Sequence, residues 1–182
     1  MPHVRPTDAS PAEVRCVAAR MQATLVEVVG PVRGAAMYDL AWLEDRVREH
    51  LDPARLTGAV LVCVDDDAAK GAETLGHTIV RVEEDNEMGR HGLFSTTYVV
   101  PSARRNHLAT LLLDAGEAWM REQGLAVAVT YTDPDNVKLI RLFEARGYEC
   151  SRVNDEFVRL SARLEATNRP QPDAGRAAPP GP

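Results

Sequence analysis

Two adjacent guanidinium groups, Arg104 and Arg105, stand between an apolar run ending Val99-Val100-Pro101 and a segment whose apolar residues Leu108, Leu111, Leu112, Ala115, Ala118 and Trp119 recur at helical spacing. A helix opening there leaves its first backbone N–H groups without intrahelical partners, and its dipole places positive potential at the same end. Those donors and the two arginines together form a socket for an anion such as a pyrophosphate. Pro101, which has no N–H, ends strand pairing just ahead of the socket. The N–H groups of Arg105, Asn106, His107, Leu108, Ala109 and Thr110 are the expected donors, helped by the Arg104 and Arg105 side chains. The competing reading makes both arginines solvent-exposed charges.

An Arg-rich helix start is common in isolation, so its neighbours matter. Downstream, Leu125 to Tyr131 alternates as a strand, and Asp133-Pro134-Asp135-Asn136 forms a turn and a helix cap. Val137, Leu139, Ile140, Leu142 and Phe143 then make a short helix that Gly147 terminates.

Val99-Val100-Pro101, Arg104-Arg105-Asn106-His107-Leu108-Ala109, and Asn136 followed by Phe143, Gly147 and Tyr148 resemble the signature of the GNAT superfamily of acyl-CoA-dependent N-acetyltransferases. That signature is a strand ending in Val-x-Pro, then Arg/Gln-x-x-Gly-x-Gly/Ala at a helix start, then a second strand leading to Asn-x6-Tyr-x3-Gly-Phe/Tyr. The resemblance is sharp from Leu93 to Cys150 and looser over residues 3 to 165. Two positions depart: His107 stands where the first glycine is usual, and Phe143 where many members have a tyrosine. At His107 a positive φ would penalise a side chain. Its imidazole either sits beside a phosphate or points to solvent.

The resemblance implies a central mixed sheet of six or seven strands with helices on both faces, an α/β (α+β) GNAT fold. The motif strand parts in it from the strand after the central helix. Acetyl-CoA is the implied acyl-donor cosubstrate, its arm against the backbone of Thr97, Tyr98 and Val99, with Asn136 as hydrogen-bond partner or simply helix cap, and Phe143 close by. The implied reaction is direct attack of a primary amine, of a small molecule or a peptide, on the thioester. Phe143 cannot protonate the departing thiolate as a tyrosine would. Tyr131, ending the strand beside the splay, is one substitute and Tyr98 the other. Glu83, Glu84 and Asp85 are base candidates acting through water, or else hairpin charges. Phe143 also keeps open a second class, a module that binds acyl-CoA without turnover as a sensor or partner subunit.

The elements that position these groups follow from the rest of the chain. Residues 3 to 6 read as a strand, and Ser10-Pro11-Ala12-Glu13 is a capping box opening a helix over 11–29 with Val14, Val17, Ala18, Met21, Leu25 and Val28 on one face. A second helix is expected over 34–50, ending at Asp52-Pro53. In the GNAT arrangement such helices border the acceptor pocket, so Met37, Tyr38, Trp42 and His50 are substrate-contact, core or surface residues. Thr57 to Val64 reads as a buried strand, Leu75 to Val82 as the next, Glu83 to Arg90 as a charged turn, and Gly92 to Val100 as the strand entering the motif. Tyr148 to Cys150 and Glu156 to Leu164 close as a hairpin.

With 182 residues, 45% of them hydrophobic, the chain fits one domain, residues 1–165, followed by a Pro/Ala-rich tail over 166–182 expected to be disordered. The net charge of −6 speaks against a broad nucleic-acid surface. No apolar run approaches the ~20 residues of a membrane helix, and the N-terminus lacks a secretion signal's apolar core, so a cytoplasmic protein without membrane partners is expected. Cys16, Cys63 and Cys150 show no paired spacing and read as structural thiols. Asp65-Asp66-Asp67 reads as a water-exposed hairpin connection rather than a metal cluster, because successive side chains of an extended chain point opposite ways. No metal is expected, and a homodimer stays open.

Overall fold

The computed structural model describes residues 1–66 and 73–165. Asp67 and the 166–182 tail lie outside the described residues. The chain runs β1 (His3–Pro6), α1 (Pro11–Val29), α2 (Pro31–Met37), α3 (Leu40–Leu51), β2 (Gly58–Asp65), β3 (Glu73–Asp85), β4 (Gly89–Val99), a 3₁₀ turn (Pro101–Ala103), α4 (Leu108–Glu122), β5 (Val127–Thr132), α5 (Val137–Glu144), β6 (Glu149–Arg152) and β7 (Val158–Arg163). Seven strands form one mixed sheet in the order β1-β2-β3-β4-β5-β7-β6, antiparallel except where β4 and β5 run parallel. That parallel pair needs a crossover, and α4 supplies it.

Helices cover both faces. On one, α1 and α3 bury Val14, Val17, Leu43 and Val47 against Val60, Val62 and Ile79. On the other, α4 and α5 bury Leu113, Met120 and Phe143 against Val80, Phe94 and Leu160. No helix of the described residues is long and apolar enough to cross a membrane.

Three expectations are corrected. The helix expected over 34–50 is two, because Asp39 accepts a hydrogen bond from the Trp42 N–H at 2.7 Å and restarts the helix as its N-cap. The charged turn expected over Glu83 to Arg90 is mostly strand: β3 and β4 pair as far as Asp85 opposite Gly89, so Glu83 and Glu84 are ladder residues. The buried stripe of α4 is Leu108, Leu112, Leu113, Gly116 and Met120, whereas Leu111 is largely exposed. Gly116 explains the rotation, since a Cβ there would lie 2.3 Å from Phe94 Cε1. The helix therefore packs its barest point on a buried ring of the sheet.

Candidate acyl-CoA site

The site is made by a break in pairing. β4 and β5 are joined only from Gly92 opposite Ala128 to Phe94 opposite Thr130. A β-bulge interrupts the β3–β4 register between Ile79 and Val80, opposite Ser95, and bulges bend the strand that carries them. Beyond it, β4 diverges from β5 and a groove of about 390 Å³ opens. One wall is β4 (Thr97, Tyr98, Val99), one the start of α5 (Asn136, Val137, Lys138), and one the last turns of α1 (Thr24, Glu27, Val28). Its inner end narrows into a slot of about 110 Å³ between Thr96 and Thr97 on β4, Tyr131 and Thr132 on β5, and Phe143 on α5. Its outer end meets a third hollow under the start of α4, lined by Arg105, His107 and Thr110.

Between strand and helix the backbone takes an uncommon course. Arg105 and His107 both have left-handed φ, 65° and 60°. Left-handed residues interspersed with ordinary ones turn successive N–H groups into one concavity, a nest for anions. His107 is the N-cap of α4 and no side chain caps that helix, so its first-turn donors keep their bonding capacity. The φ of His107 accounts for the glycine usual there: the position is one that L-residues occupy at a cost.

Arg104 lines the groove, but its guanidinium is engaged, donating from Nε to the Val99 carbonyl at 2.9 Å and from Nη2 to Glu27 at 2.6 Å while lying over the Tyr98 ring at 5.5 Å. The Glu27 hydrogen bond raises its pKa further. Arg105, His107, Leu108, Ala109 and Thr110 surround the outer hollow; Asn106 instead faces a separate cavity beside Asp65 and Ser102. Asn136 caps α5 through the Leu139 N–H and donates to Thr132 Oγ1 at 3.0 Å, and it lines both groove and slot. Phe143 is almost wholly buried, edge-on to Phe94 and Tyr148, with one side on the slot. Its neighbour Tyr148 spends its hydroxyl on the buried Glu117 at 3.1 Å.

Among the catalytic candidates, Tyr131 lines the slot and is 38% exposed. Glu83 and Glu84 line neither groove nor slot. Glu83 accepts a 2.7 Å hydrogen bond from Arg81 Nε, and Arg81 in turn lies 3.5 Å from Ser95 Oγ and 3.4 Å from His50 Nε2. Tyr98 stacks on the buried His77 and reaches the groove. Tyr38 and Trp42 stack on each other at 4.1 Å and stay exposed; His50 is buried and bonded to the Arg46 carbonyl. Among the described residues, no three His, Cys, Asp or Glu side chains are grouped to hold a metal.

Sequence reasoning missed the α1 wall, Thr24 and Glu27. The only signal was two polar residues close to a helix face otherwise read as apolar. It also missed Thr96, a residue of the slot whose hydroxyl is buried without a protein partner, and Arg159, which sits opposite Tyr131 in the β5–β7 ladder.

A seven-stranded mixed sheet whose parallel pair parts ahead of an uncapped helix start is the frame on which the site is built. The profile of the acetyltransferase (GNAT) family matches residues 32–148, and the chain belongs to that family. Among curated proteins no sequence matches. Similar solved structures include a chain of the NatC complex bound to Gag peptide and CoA (TM-score 0.70, 13% identity, 90% of this chain and 99% of that one). Arabidopsis thaliana NAA60 in complex with a bisubstrate analogue is similar at TM-score 0.63 (14% identity, 92% and 100%). So is the PaiA N-acetyltransferase of Thermoplasma acidophilum in complex with coenzyme A (TM-score 0.61, 13% identity, 90% and 99%). At these identities the likeness is one of fold.

Proposed function

We propose that the protein moves an acetyl group from acetyl-CoA to a primary amine of a small molecule or peptide by direct attack. The observation that carries this is the continuity of three spaces: the nest at α4, the groove along the β4 edge that β5 leaves unpaired, and the narrower slot at Tyr131. Their order matches a diphosphate, an extended arm and a thioester. In this reading the α4 N–H groups with Arg105 and His107 hold the diphosphate, and Thr97, Tyr98 and Val99 pair with the arm as a strand would. The neighbours solved with CoA lend the cofactor support.

In the slot, the amine lone pair forms the C–N bond and the C–S pair leaves as thiolate. The new ammonium loses its proton to water, and Tyr131 supplies one to the sulfur. Positioning contributes most of the acceleration, because both reactants enter a slot that fixes them face to face.

A second reading is a non-catalytic acyl-CoA-binding sensor or partner subunit, favoured by Phe143 at the place of the usual acid. Release of free CoA, followed with a thiol reagent across a panel of amines, separates the two. Amine-dependent release is expected; tight acetyl-CoA binding with no release from any amine would establish the sensor.

A further inference from the structure

Tyr131 has a charged neighbour with no part in the transfer as described so far. Leu164 donates its N–H to the Ala126 carbonyl at 2.9 Å, and bonding alternates along the β5–β7 ladder from there, which leaves Tyr131 and Arg159 facing each other as a non-hydrogen-bonded pair. The other edge of β7 agrees. Val153 donates to the Phe157 carbonyl at 3.0 Å, so the same alternation turns the Arg159 backbone toward β6. Pairs of this kind are the close ones, with Cα atoms about 4.5 Å apart and both side chains on one face of the sheet. The Arg159 side chain is only 19% exposed, and its Nη1 donates to Glu87 Oε1 at 2.7 Å, across 72 positions of chain. Glu87 belongs to the turn between β3 and β4. It holds the guanidinium from one side, and the fork keeps further N–H donors for the phenol. The Glu87 hydrogen bond raises the Arg159 pKa, and Tyr131 acts in the same direction.

Resting on the transferase reading above, we infer that Arg159 is a positioning residue for the transfer, holding the Tyr131 hydroxyl at the slot and stabilising the phenolate left when that hydroxyl gives its proton to sulfur. In that step the S–H bond forms as the Tyr131 O–H bond breaks, and the negative charge passes from sulfur to the phenol oxygen. Phe143, also on the slot, has no charge to set against it. A guanidinium alongside does, since an opposite charge and a charge-assisted hydrogen bond both favour the anion. The proton shed by the new ammonium then returns to the phenolate through water, so hydroxyl and guanidinium end each cycle as they began. Arg159 acts through Tyr131 and touches neither the acyl group nor the amine.

The test is a double-mutant cycle on the full-length protein, with CoA release from acetyl-CoA followed on the best amine of the panel. Arg159→Met is expected to lower kcat at least tenfold while KM for acetyl-CoA stays within about twofold. Arg159→Lys, which keeps the charge, should recover most of that loss. In a Tyr131→Phe background, Arg159→Met should change kcat by less than about twofold, because the group it serves is gone. Arg159→Gln serves the same comparisons should the methionine variant not fold. A kcat unaltered by Arg159→Met, or a loss of the same size with and without the Tyr131 hydroxyl, overturns the inference and leaves the transferase reading standing. A lysine variant as poor as the methionine one would remove the charge from the assignment. If the unaltered protein binds acetyl-CoA yet releases no CoA with any amine, the transferase reading falls and this inference with it.

Discussion

Two residues concentrate the local physics of the site. His107 holds a φ of 60° at the start of α4, a region costing an L-residue roughly 1–2 kcal/mol and a β-branched one more. His107→Val is therefore expected to destabilise the fold by about 1–2 kcal/mol relative to His107→Gly, measured by urea denaturation; equal stability would mean the left-handed turn is not held. At the other end of the groove, Tyr131 is the hydroxyl that the proposed reaction uses to give the thiolate its proton. Tyr131→Phe is expected to lower kcat at least tenfold while acetyl-CoA affinity stays within about twofold. An unaltered rate would dismiss it as the acid. The arginine pair was visible in the sequence as cationic, but the division of labour was not. Which of two adjacent guanidiniums is captured by a carboxylate 77 positions away depends on how α1 crosses the sheet, and no local pattern encodes that.

At the scale of elements, α1 is tied to the motif strand by the Glu27–Arg104 pair across the groove. Both groups are partly exposed, so the pair itself adds only about 0.2–1 kcal/mol. Its larger consequence is electrostatic: Glu27 places a negative charge on the wall of the groove proposed for the anionic cofactor, and occupies a guanidinium that could face it. Glu27→Gln should leave thermal stability nearly unchanged and tighten acetyl-CoA binding several-fold by calorimetry. Weaker binding would show instead that the pair sets the width of the groove. Elements with strong periodicity or caps, such as α1 with its Ser10 cap and β2 with its apolar run, were legible to within a residue or two. Where the sequence misled, a longer-range contact decided. Asp39 split a helix by capping it, cross-strand pairing extended β3 and β4 through charged residues, and the close approach of Gly116 to Phe94 rotated α4. The parting of β4 and β5 was legible only through the resemblance, because a missing ladder leaves no composition of its own.

For the whole molecule, the two cores meet along β3 and β4, and buried imidazoles sit beside that seam. His77 is fully buried with both ring nitrogens unpartnered, and burial, with the charge of Arg20 adding, pushes its pKa from 6.5 down to about 3. Burial lowers His50 in the same direction. Between pH about 6.5 and about 3 the unfolded chain therefore binds a proton at His77 that the folded chain refuses. Stability from this source is complete above pH about 6.5 and falls on acidification, by up to about 1.4 kcal/mol per pH unit. Urea melts should show the protein weaker at pH 5.0 than at pH 7.5, by about 2 kcal/mol from His77 alone; equal or greater stability at pH 5.0 would mean these rings reach solvent or a partner.

The proposed transfer requires coenzyme A to lie where β4 leaves β5. Amide NMR of the labelled protein titrated with acetyl-CoA tests this directly. Shifts should concentrate on Thr97 to Val99 and on Arg105 to Thr110, fading along β1 and β2. Saturating acetyl-CoA that leaves those amides unmoved, or moves a different surface, would contradict it.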